Sequence, residues 1–181
     1  MTNILHSSES SEWYTPKKYT DSVRKVLGQI DLDPASCEKA NDTIKAQSFY
    51  SIDDNGLNKR WYGQVFMNPP YGFGANNSSN QELWTQKLIN EYEQKNVKEA
   101  ICLVNSATDT KWFQKLWRYP ICFVDHRIKF IPGESNTKKF GPTHGNVFVY
   151  FGKNIEEFRK EFGQYGVIVK PSIMYSEVLD V

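Results

Sequence analysis

Apolar residues recur along this chain in two rhythms, one suited to helices and one to strands. Tyr19, Val23, Val26 and Leu27 fall on a single helical face. Thr15 is placed to cap that helix, Pro16 suits its first position, and Gly28 ends it. QIDLDPAS then reads as a short strand closing in an acidic, proline-stopped turn. Residues 37–63 are polar and resist assignment, with SFYS a possible strand and DDNGLNKRWYG a loop leading to a short helical turn. QVFM is a strand that two prolines must stop, because neither has an N–H to donate.

GFGANNSSNQ reads as a loop, and Ser79 with Glu82 predicts a capping box for a helix over 80–96. EAICLVNS reads as a buried strand. DTKWFQKLWRY is an amphipathic helix with Trp112, Phe113, Leu116 and Trp117 on its apolar side. ICFVD, RIKFI and GNVFVYFG are further strand candidates, with the loop PGESNTKKFGPTH before the last of them. A helix near 154–163 and a strand GVIVK follow. Strands alternating with helices predict an α/β fold with a mostly parallel sheet covered on both faces, and the late run of strands predicts an antiparallel edge hairpin. With no internal repeat or linker, residues 1–12 are expected to form a flexible arm. Residues 13–181 are expected to be one domain without a separate target-recognition domain.

Composition narrows the class. Aromatic residues make up 14% of the chain, against a net charge of +1. Such an aromatic load argues against disorder, and the near-neutral total excludes a polycationic coat while leaving room for a local patch. Cys37, Cys102 and Cys122 show no CxxC spacing, so neither a disulfide framework nor a metal site is expected. No apolar run approaches the roughly 18 residues of a spanning helix, and the N-terminus lacks a secretory pattern. A cytoplasmic protein that avoids membranes is the expectation.

In open α/β sheets, ligands bind beyond the carboxyl ends of the strands. IDLDPAS and VFMNPPY both place polar residues at such ends, so Asp33 and Asn68 are expected on one rim. NPPY after an apolar strand resembles the catalytic motif of the amino-methylating DNA methyltransferases, which carry Asp, Asn or Ser, then Pro-Pro, then an aromatic residue. EWYTP, DLDPAS and the DNGL…W…NPPYG block, from about residue 12 to about 152, resemble the phage-type DNA N6-adenine methyltransferases.

This resemblance implies a Rossmann-like methyltransferase fold, S-adenosylmethionine as methyl donor, and DNA as partner of a monomeric enzyme that flips adenine out of the duplex. It implies that Asn68 and the Pro69 carbonyl accept from the adenine amine, that Pro70 stiffens the clamp, and that Tyr71 stacks on the base. Asp33, Pro34, Ala35 and Ser36 would form the cofactor turn, with Tyr14, Thr15 and Pro16 over its methionine end. Asp54 and Leu57 would lie near the cofactor's adenine, although an ordinary solvated DDNG turn explains Asp54 equally well. The turn departs from the family pattern in having no glycine. No acidic residue ends a second strand to hold the ribose.

Phe140 is the first choice for a ring against the flipped base, and Phe130 the second. Residues 111–139 hold seven basic residues against two acidic ones, and Arg127, Lys138 and Lys139 are the expected nucleic-acid contacts. Because NPPY reads an sp² amino group, a protein glutamine or an RNA base remains an alternative target. A non-catalytic DNA-binding module that kept the fold is another.

Overall fold

The computed structural model describes residues 13–74, 78–133 and 144–171. Its centre is a seven-stranded sheet in the order β3-β2-β4-β5-β8-β6-β9. The strands are β2 (Leu32–Asp33), β3 (Ser48–Phe49), β4 (Gly63–Met67), β5 (Val97–Asn105), β6 (Ile121–Val124), β8 (Asn146–Phe151) and β9 (Gly166–Val169). β2 pairs parallel with both β3 and β4, and β4 pairs parallel with β5. β8 lies antiparallel between β5 and β6, and β9 is antiparallel to β6 at the edge.

The principal strand direction is thus shared by β3, β2, β4, β5 and β6, in keeping with the expected mostly parallel, Rossmann-like sheet. The antiparallel part reaches further inward than the expected edge hairpin. The reason lies in chain order: β5 and β6 are joined through a helix without pairing each other, and β8 fills the space between them. RIKFI does not enter this sheet. Only Ile131–Pro132 (β7) is extended there, pairing antiparallel with Trp13–Tyr14 (β1) in a separate ribbon.

Alternation along the strands sends side chains to two cores. Phe66, Ile101, Leu103, Phe148 and Tyr150 face α1 (Lys17–Leu27), α2 (Glu38–Ile44) and α5 (Ile155–Phe162). Val65, Met67, Ala100, Cys102, Val147 and Val149 face α3 (Asn80–Glu93) and α4 (Lys111–Gln114). Each large side chain buried this way contributes about 1.5–3 kcal/mol. α4 continues as a 3₁₀ turn over Lys115–Arg118, so that Trp112, Phe113 and Leu116 are buried as the amphipathic pattern demands. No helix among the described residues is long and apolar enough to cross a membrane.

Local chemistry explains where elements differ from expectation. α1 starts at Lys17 with Pro16 at its N-cap, and a proline has no side-chain acceptor to cap with; Thr15 lies one residue further out, where its hydroxyl accepts from Asn68 Nδ2. Ser79 stands at the N-cap of α3 but makes no capping bond, its backbone being bridged to Phe73. That helix ends at Glu93, and Lys95 turns left-handed at φ 63°. α2 has an uncommon cap: the Cys37 sulfur accepts from the Ala40 N–H at 3.4 Å.

Candidate active site

β2 and β4 are neighbours in register, Leu32 opposite Val65, so their carboxyl ends lie side by side. Adjacent strands run about 4.8 Å apart. Asp33 and Asn68 therefore share one rim, and Asn105 of β5 and Asn146 of β8, which are paired in register, continue it.

The Asp33 turn is clamped from several sides. Tyr50 N–H donates to the Asp33 carbonyl at 3.0 Å, and Ser36 N–H to the Tyr50 carbonyl at 2.9 Å. The Asp33 carboxylate accepts from Ala35 N–H at 3.0 Å. Its side chain is buried, which raises its pKa to about 7, with the Ala35 N–H and the neighbouring Ser36 hydroxyl pulling the other way. The turn lacks a glycine, but one arrives from elsewhere. A Cβ on Gly56 would stand 2.0 Å from the Pro34 carbonyl oxygen, so only glycine allows this approach. Trp61 donates to the Gly56 carbonyl at 2.8 Å and fixes the segment in place.

Above the rim runs β1. Its Tyr14 hydroxyl accepts from the Cys37 thiol at 3.8 Å, just past the Asp33 turn. Thr15, only 3% exposed, accepts from Asn68 Nδ2 at 3.3 Å, and the Trp13 carbonyl accepts from the same nitrogen at 3.5 Å. Asn68 Oδ1 is left over. Among the described residues, the buried side-chain oxygens and nitrogens without hydrogen-bond partners are this atom and Ser36 Oγ. Both fall in the motifs singled out from the sequence. An unpaired buried acceptor costs about 1–3 kcal/mol.

Pro69 is buried and Pro70 exposed. Tyr71 follows, its carbonyl accepting from Asn80 Nδ2 at 3.3 Å and its ring edge-on to Phe130 at 6.4 Å. Burial pushes the Tyr71 phenol up to about 12, against a smaller pull from its hydrogen bond with Asn146. Asn146 in turn donates to Asn105 Oδ1 at 3.4 Å, and Asn105 N–H donates to Gln81 Oε1 at 2.9 Å. Sequence reasoning overlooked this polar support of Gln81, Asn105 and Asn146. Its signal was available: an asparagine at each end of an apolar run, in LVNS and GNVF.

The structure thus brings Tyr14, Thr15, Asp33, Ser36, Asn68 and Tyr71 to one edge. Pro16, Pro34 and Ala35 are part of the same backbone. Asp54 is exposed, its carboxylate accepts from Ser51 N–H and Oγ at 2.8 and 2.7 Å, and those bonds hold its pKa down. The solvated-turn account fits it. Leu57 packs against the α3-side core.

Phe130 is 6% exposed and packs in the α1-side core, so it backs Tyr71 instead of offering a free face. Arg127 is exposed, and its Nη1 lies 3.0 Å from where a Gly145 Cβ would be, at the start of β8 on the active rim. Arg118, by contrast, is paired with Glu93 at 3.1 Å. Phe140, Lys138 and Lys139 lie outside the described residues. An open groove along α3, lined by Leu57, Ser78, Glu82, Leu83, Gln86 and Lys87 among others, includes none of the rim residues.

Among solved structures, the chain is similar to one described as human methyltransferase 10 domain containing protein, at 11% sequence identity and a TM-score of 0.39, over 76% of this chain and 82% of that one. No curated protein matches it. A family model described as DNA N-6-adenine-methyltransferase (Dam) matches residues 2–175, which takes in the Asp33 turn, the NPPY segment and every strand of the sheet. By that match the chain belongs to the Dam family of DNA N6-adenine methyltransferases.

Proposed function

We propose that the protein carries out its family's DNA adenine-N6 methylation through Asn68, Pro69 and Tyr71, on an adenine turned out of the duplex, with S-adenosylmethionine as donor. The observation that carries this reading is Asn68 Oδ1, an acceptor withheld both from water and from the protein's own donors at the end of β4.

The amine of adenine is a weak nucleophile because its lone pair is delocalised into the ring. Asn68 Oδ1 and the Pro69 carbonyl each take one of its hydrogens, drawing the nitrogen toward tetrahedral geometry and freeing the lone pair. The prolines hold both acceptors still, so their contribution to methyl transfer is electrostatic preorganisation; as the N–CH₃ bond forms the S–CH₃ bond would break to leave a neutral thioether, and the nitrogen, now cationic, would shed one proton to solvent. Tyr71, braced by Phe130 and Asn146, provides the face on which the extruded base stacks.

The Asp33 turn fits a cationic donor. Its buried carboxylate has few partners, and the Ser36 hydroxyl beside it has none that meets hydrogen-bond geometry. Asp33, Ser36, Tyr14 and Pro16 would hold S-adenosylmethionine, which when bound supplies a methyl group made electrophilic by its sulfonium.

Labelled S-adenosylmethionine offered with unmethylated DNA, RNA and protein in parallel tests the reading. Transfer to adenine N6 in DNA is expected, with Asn68→Ala lowering the rate at least 100-fold while calorimetric cofactor binding persists. Full activity of Asn68→Ala would remove the site assignment.

A further inference from the structure

An asparagine can present either end of its amide to a substrate. Only one end accepts, and nothing in the side chain itself chooses between them. At position 68 the surroundings choose. The Trp13 carbonyl can only accept, and it lies 3.5 Å from Asn68 Nδ2. Reversing the amide would set Oδ1 against that carbonyl, two acceptors with no hydrogen between them. Thr15 Oγ1, 3.3 Å from the same nitrogen, takes the other amide hydrogen; a hydroxyl can also donate, so Thr15 pins the amide in place while the Trp13 carbonyl sets its sense.

Neither partner is free to drift. Trp13 pairs with Pro132 and Tyr14 with Ile131 in the β1–β7 ribbon, and Thr15 is buried immediately before α1. We infer that Thr15, together with the Trp13 carbonyl, is a positioning element that locks the Asn68 amide with its oxygen toward the base. This rests on the assignment of Asn68 as the acceptor for the adenine amine. It gives Thr15 a part in the methyl-transfer step itself, distinct from covering the cofactor.

The lock also explains the residue type. Family motifs of this kind accept aspartate in place of asparagine, but a carboxylate here would face the Trp13 carbonyl without a hydrogen to offer. Asparagine is therefore demanded by this chain's own N-terminal strand.

The test uses Thr15→Val, which removes the hydroxyl at nearly constant volume, and Thr15→Ser, which keeps it. Thr15→Val is expected to lower kcat about tenfold, with KM for DNA and calorimetric S-adenosylmethionine affinity within about threefold of wild type. Thr15→Ser should restore most of the rate. A fall in cofactor affinity at unchanged kcat, or failure of Thr15→Ser to rescue, overturns the inference. Should Thr15→Val not fold, Asn68→Asp decides. A kcat at least tenfold below wild type is expected, and wild-type kcat overturns the lock. The assignment of Asn68 is judged separately, by Asn68→Ala. An inactive Asn68→Ala beside a fully active Asn68→Asp would sink the lock alone.

Discussion

The rings of Tyr71 and Phe130 meet edge to face, 6.4 Å between centroids and 84° between planes. One belongs to the motif and the other to the chain leading into β7, so the ring proposed to stack on the base is held from outside its own loop. Base–aromatic stacking is worth about 1–3 kcal/mol, so Tyr71→Ala should cut kcat/KM by roughly 5- to 150-fold. Tyr71→Phe, which keeps the ring, should stay within a few-fold. Phe130→Ala should destabilise the fold by about 3–5 kcal/mol, read by denaturant unfolding, because that ring is core. A Tyr71→Phe variant as inactive as Tyr71→Ala would transfer the role from ring to hydroxyl.

The two motifs were legible because each sets polar or proline residues at the end of an apolar strand, and a parallel sheet gathers such ends. The mostly parallel sheet, and the single rim shared by Asp33 and Asn68, followed from that pattern. What was not legible came from contacts distant in sequence. Nothing near residue 34 announces that Gly56 will lie on it, or that Thr15 will meet Asn68. β1 and β7 are too short to show a period, and α2 hides behind a cysteine cap. Asn105 and Asn146 looked like ordinary strand ends until the sheet paired them.

Asp33 carries a pH signature. Its pKa in the folded chain, about 7, lies above the ordinary 3.8, so between those values the folded state holds a proton that the unfolded chain has lost. The stability it contributes is complete below about pH 4 and disappears as pH rises through about 7. Unfolding free energies of wild type relative to Asp33→Asn, from denaturant titrations, should therefore decline over that window by a change on the order of a few kcal/mol. Cofactor affinity should move the opposite way, strengthening through pH 7 in wild type as the carboxylate ionises to meet a cation. Equal slopes in wild type and Asp33→Asn would dissociate Asp33 from cofactor binding.

Gly56 should tolerate no side chain. With a Cβ set 2.0 Å from the Pro34 carbonyl, Gly56→Ala must push backbone against backbone. A loss of about 1–3 kcal/mol is expected in denaturant unfolding, together with weaker S-adenosylmethionine binding by calorimetry. Asp54→Asn, two residues earlier, should leave that binding within twofold.

Arg127 stands exposed beside Gly145 on the active rim. Arg127→Gln should weaken DNA binding and make the slope of log affinity against log salt shallower by about 1, as expected for one lost phosphate contact. An unchanged slope in fluorescence anisotropy titrations would place Arg127 off the DNA path.

β8 has a bearing on how the protein is made. During synthesis both strands that flank it, β5 and β6, leave the ribosome before it does: β5 can pair at once with β4, but β6 has no sheet partner yet, because β8 and β9 both come later in the chain. Until residues 146–151 emerge, the free edge of β5 presents unpaired backbone groups that a neighbouring chain could take up. The arrival of that one strand both closes this edge and carries β6 into the sheet, with β9 left to follow onto the outside.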